Sequence, residues 1–213
     1  MKQKFSTRKL VVASMLSAVS VVLGLTPLGI IPLPIANLTT MHIPAILGGI
    51  LEGPVVGLLV GLIFGLSSLY KAVTAPSSIL SPFLMNPLVS IVPRMLIGVV
   101  AWGVYTLIRK SFLKKELSAR AQGAATSLAS GAAAFFGTIM NTAGVMGMTF
   151  LLYAPQYAAA SGIDVSAVGA AIWGVCISNG LLEAAGAVVI VVVLERVLRP
   201  VVASMRAREA KRK

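Results

Sequence analysis

This sequence is poor in the groups that carry out most chemistry. Six acidic residues, one histidine and one cysteine are all that 213 residues offer toward metal ligation, acid–base work or redox exchange. Cys176 lies in an apolar run, so the chain can form neither a disulfide framework nor a thiol pair, and no cysteine near the start suits a lipid anchor. His42 has no cysteine or carboxylate at ligand spacing, which argues against a metal site. No nucleophile and base occur at a workable separation, and neither a phosphate loop nor a dinucleotide fingerprint is present. The reading is therefore not an enzyme, and no cofactor is expected. Charge is scarce too: charged residues make up 11% of the chain, against roughly 25% in soluble domains.

What the chain has is apolar length. Hydrophobic residues account for 57% and mean hydropathy is +0.94, the composition of an integral membrane protein. The formal net charge of +12 does not point to nucleic acid, because sixteen of the eighteen Lys and Arg residues fall outside the apolar runs, in three clusters. Lys2, Lys4, Arg8 and Lys9 open the chain, Arg109, Lys110, Lys114, Lys115 and Arg120 share an internal loop, and Arg196, Arg199, Arg206, Arg208, Lys211, Arg212 and Lys213 close it. Only Lys71 and Arg94 stand elsewhere.

About 20 apolar residues cross a bilayer, and six runs qualify or nearly do, at about 10–31, 38–52, 54–70, 87–108, 121–152 and 165–198. The first is longer than a signal-peptide core and lacks a cleavage triplet, so it reads as a membrane helix. The second is short. Dropping it would leave an odd number of crossings and put the basic start and end on opposite sides, whereas the positive-inside bias places both in the cytoplasm. The expected fold is all-α: a six-transmembrane-helix bundle with cytoplasmic N- and C-termini, formed as one domain over residues 1–213.

Glycines at 53, 57, 61 and 65 recur every fourth residue and set close helix packing along the third span. Pro32 and Pro34 force an extended segment after the first span. In the first span Ala13 and Ser17, and again Ser14 and Ala18, are small residues four apart, suited to packing within the bundle or to docking a separate membrane subunit.

The polar residues inside the runs are the candidate site. Arg94 keeps its charge at any accessible pH and costs from about 2.5 to over 10 kcal/mol to bury in hydrocarbon, so it needs a partner. Asn141 ends a small-residue stripe, Asn179 and Glu183 fall one turn apart on the last span, and His42 heads the second, next to Thr39 and Thr40. Two readings stand. In one, Arg94 and Glu183 neutralise each other and the amides tie helices together. In the other, Glu183 lies some 15 Å or more below Arg94, estimated from the outer helix ends, and Arg94 faces an outward pocket where a carboxylate would bind. His42 likewise is either an interfacial cap or part of a ligand lining.

The stretches TTMHIPAILGGILEGPVVGLLVGLIFGLSSL at 39–69, IVPRMLIGVVAWGVY at 91–105, MNTAGVMGMTFLLY at 140–153 and NGLLEAAGAVVI at 179–190 resemble the substrate-binding S components of energy-coupling-factor (ECF) vitamin transporters, in particular the pantothenate-like branch. The resemblance implies a multi-pass protein of the bacterial cytoplasmic membrane that captures a vitamin from outside and docks on a transmembrane coupling subunit driven by two ATPase subunits. The AxxxA docking motif of that family is matched only loosely, by Ala13-xxx-Ser17 or Ser14-xxx-Ala18. Pantothenate suits Arg94 by charge; folate and cobalamin remain alternatives, as do a non-transport structural membrane subunit and an unaided secondary transporter.

Overall fold

The computed structural model describes residues 6–32, 37–76, 78–112 and 118–211; Lys2, Lys4, Pro34, Lys114, Lys115, Arg212 and Lys213 lie outside the described residues. Helix α1 runs over Thr7–Leu25, its start capped by the Ser6 hydroxyl accepting from the Lys9 amide. A short turn at Pro27–Gly29 leads into an extended arm that the sequence did not announce as a sheet. Strands β1, Ile30–Pro32, and β2, Asn37–Thr39, pair antiparallel, with Ile30 opposite Thr39 and Pro32 opposite Asn37. Proline bars a helix here, and pairing the two arms satisfies backbone groups that would otherwise be bare at membrane depth.

Helix α2, Ile43–Glu52, is ten residues long and buried along its whole length. At 1.5 Å per residue it covers about 15 Å, half a bilayer core of about 30 Å. The second apolar run is thus not a crossing helix. Its outer half is extended chain, which climbs about twice as far per residue, and this is why 38–52 looked short. Thr39, Thr40 and His42 consequently sit at the inner end of that extended half, deeper than an interfacial cap would be.

Gly53, with φ of 102°, makes the turn into α3, Pro54–Thr74. The glycine stripe packs on the next long helix. A Cβ on Gly61 would lie 2.1 Å from the Arg94 carbonyl oxygen, and one on Gly57 would lie 2.8 Å from the Gly98 Cα. Two single-turn helices, α4 (Ser81–Leu84) and α5 (Pro87–Ser90), precede α6, Val92–Phe112.

The fifth run becomes α7, Ala119–Ser161, which extends past the expected end at 152. The chain kinks where Tyr153 leaves helical geometry two residues before Pro155, and the 153–164 segment read as a loop is helical up to Ser161. The sixth run comprises α8 (Val168–Val175), a π turn (Cys176–Gly180) and α9 (Leu181–Ala210). Four helical stretches are long and apolar enough to cross a membrane: Thr7–Leu25, Pro54–Thr74, Pro87–Phe112 and Arg120–Ser161. The chain is thus an all-helical membrane protein apart from its small ribbon.

The core lies among α2, α3, α6, α7 and α9, with Ile46, Val56, Val60, Ile97, Ala133 and Val191 fully or almost fully buried. At one end, Arg8 bonds both Glu52 and Glu209, at 3.0 Å for Glu209, and Arg206 donates to the Leu51 carbonyl. The described ends of the chain therefore meet on the same side of the bundle.

Candidate functional site

Three helices converge on a polar layer at the head of α2. On α7, a Cβ at Gly137 would meet the Ile46 side chain at 2.9 Å and Ala101 at 3.5 Å, and one at Gly144 would meet Pro93 at 2.8 Å. Asn141 lies between these two glycines on the same helical face. It therefore points toward the part of α6 that carries Arg94 and toward α2 one turn from His42.

Each of these three side chains leaves a polar atom over. Arg94, 7% exposed, donates from Nη1 to the Val89 carbonyl at 2.9 Å and holds its guanidinium 5.7 Å from the centre of the Phe64 ring. Its Nε is buried with no partner among the described residues, and no carboxylate there lies within ion-pair distance of it. His42 is fully buried, its Nε2 2.9 Å from the Thr138 hydroxyl. Thr138 donates its single hydroxyl proton to the Ala134 carbonyl at 2.9 Å. By elimination, Nε2 is the protonated nitrogen that donates to Thr138, and Nδ1 of the neutral ring is a bare acceptor. That Nδ1 is unpartnered, as is Oδ1 of Asn141. One charged donor and two acceptors are left for a ligand, where unpaired buried polar groups would each cost about 1–3 kcal/mol.

Glu183 has a different job. Its Oε1 accepts from the Thr39 hydroxyl at 2.6 Å and the Thr39 amide at 3.3 Å, and its Oε2 lies 3.5 Å from the Thr142 hydroxyl. It pins the end of the ribbon to α7 and α9. The 15 Å depth difference from Arg94 is not observed. Arg199 bonds both Tyr105 on α6 and Glu195 on α9, giving the two helices a common level. Arg94 is eleven residues above Tyr105 and Glu183 twelve above Glu195, so helix rise places them about 17 and 18 Å up, at nearly equal depth. The outer helix ends, from which the larger difference came, are not level with one another. The mutual neutralisation of Arg94 and Glu183 also fails, since Glu183 is occupied by threonines.

Asn179 does not join the layer: its side chain is exposed. It sits in the π turn, whose extra residue rotates the chain before Leu181, so Gly180 rather than Asn179 faces Thr142, at 3.5 Å from its Cγ2. Of the proposed docking residues, Ala13 is buried, Ser17 half-buried, and Ser14 and Ala18 exposed on the outer face of α1. Sequence reasoning missed Thr138 and Thr142, which bracket Asn141 at helical spacing and were the available signal.

A family model described as the substrate-specific component of ECF transporters matches residues 8–195. The chain belongs to that family. Membership makes it a substrate-binding transporter subunit rather than an enzyme, and implies a small-molecule substrate and an energising module of a transmembrane subunit and ATPases. A search among curated proteins finds no match. For an ECF substrate-specific component, a buried layer with unspent donors and acceptors is the natural place to look for the ligand.

Proposed function

We propose that this ECF component captures pantothenate from outside a bacterial cell, with Arg94 holding the carboxylate and His42 Nδ1 and Asn141 Oδ1 accepting from its hydroxyl and amide groups. The observation that carries the reading is the convergence of one unpaired guanidinium N–H and two bare acceptors at the head of α2. Glu183 serves the site indirectly by fixing Thr39, and the 32–42 and 71–86 segments close over the ligand. The chain crosses the cytoplasmic membrane six times, the half-helix α2 with its extended lead and the α8–α9 rod supplying the two crossings beyond the four long helices. Both termini are cytoplasmic, which the meeting of Arg8 with Glu209 supports. The chain docks on its coupling subunit through the face of α1 that includes Ser14 and Ala18.

Purification in detergent followed by mass spectrometry of released small molecules tests the substrate. Recovery of pantothenate, with calorimetric binding that folate and cobalamin do not reproduce, is the expected result; recovery of another vitamin in its place would reassign the substrate.

A further inference from the structure

At the cation-rich end, two clefts of about 330 and 670 Å³ open beside α9 and share Arg109 and Arg199. The larger runs between α7 and α9, where Arg109, Arg120, Arg196 and Arg199 line it against a single acid, Glu195. Glu195 is 1% exposed and already paired with Arg199. The guanidiniums of Arg109 and Arg199 lie 5.9 and 5.7 Å from the centre of the same Tyr105 ring. Arg196 is aimed by two bonds to the Ser127 hydroxyl, at 3.1 and 2.8 Å. Holding these cations together with one buried counter-charge leaves a surplus that a phosphate oxygen would offset, and planar guanidiniums are the donors that match phosphate best.

The surroundings indicate what carries the phosphate. Val189, Val193 and Val197 form an exposed ridge along α9, 64%, 57% and 61% accessible, that runs to Arg196, and Leu128 on α7 is 57% exposed at the other side of the cleft. An anionic head in the cleft with acyl chains along this ridge satisfies both surfaces; a free anion uses only the first. We infer that the cleft between α7 and α9 binds the headgroup of an anionic glycerophospholipid through Arg109, Arg196 and Arg199.

The test uses the full chain in detergent, with lipid retention read by native mass spectrometry and protection by thermal melting. The probes are phosphatidylglycerol, phosphatidylcholine and inorganic phosphate. Variants are Arg109→Gln with Arg196→Gln, which spare the buried Arg199–Glu195–Tyr105 network, and Arg208→Gln as a control outside the cleft. Phosphatidylglycerol should be retained in preference to phosphatidylcholine. The double variant should lose about 25-fold in apparent affinity, at about fivefold per arginine, and the control little. Equal retention of both lipids, an unchanged double variant, or an equal loss in Arg208→Gln would overturn the site. Protection by inorganic phosphate matching that by phosphatidylglycerol would overturn the lipid as its source.

Discussion

Arg94 shows how a single residue can be read and tested. Its buried Nε has no partner and its charge meets no carboxylate among the described residues, so a bound carboxylate is the group that would complete it. Replacing Arg94 by Gln should weaken ligand binding by about 2–5 kcal/mol, and Lys should rescue poorly because it lacks the planar fork. Titration calorimetry on both variants, with melting as the check on folding, decides the matter; parental affinity in folded variants would make Arg94 structural. Glu183 predicts the reverse pattern. Glu183→Ala should cost about 1–3 kcal/mol of stability by freeing Thr39 and Thr142, while Glu183→Gln, which keeps an acceptor for Thr39, should cost less in the same melts. The polar identity of Arg94, His42, Asn141 and Glu183 was legible in the sequence because ionisable and amide groups are rare in apolar runs. Which of them remain unpaired was not, because it depends on Thr138 and Thr142, ordinary hydroxyls that gain meaning only from what they touch.

At the scale of elements, spacing was legible wherever a helix stayed regular. Glycines 57, 61 and 65 do lie against α6, and their contacts predict a graded response. Gly61→Ala pushes a methyl group into the Arg94 carbonyl and should cost about 1–3 kcal/mol by overpacking, lowering ligand affinity as well because the strain falls on the residue that holds the site. Gly103, on the same helix as Arg94 with nothing within 4 Å of its would-be Cβ, should tolerate alanine and gain up to about 1 kcal/mol of helix propensity. Melting temperatures and calorimetry on the two variants distinguish a packing requirement from a general dislike of side chains. Spacing misled where regularity broke. The π turn carried Asn179 out of the layer, the kink at Tyr153 and Pro155 let α7 run on, and extended chain replaced the outer half of the second run. None of these leaves a mark in hydrophobic periodicity, since each changes the rise or rotation per residue while the composition stays apolar.

For the whole molecule, the clustering of basic residues carried more information than any boundary, and the contact between Arg8 and Glu209 brings two of those clusters together. A cysteine placed in the last ten residues should resist membrane-impermeant labelling from outside and react after permeabilisation; labelling in intact cells would refute the arrangement. Vesicles holding this chain alone should bind ligand without accumulating it, and accumulation should appear only with the coupling subunit and ATPases present. One further consequence follows from α2 beginning halfway through the protein. The peptide dipoles of a ten-residue helix add up to roughly half a positive elementary charge at its N-terminus, and here that end opens beside Arg94 and His42 in a medium that screens it poorly. The backbone therefore contributes to anion attraction independently of any side chain. Ligand selectivity should keep a trace of this: even in Arg94→Gln, the carboxylate form of the ligand should outcompete its neutral carboxamide.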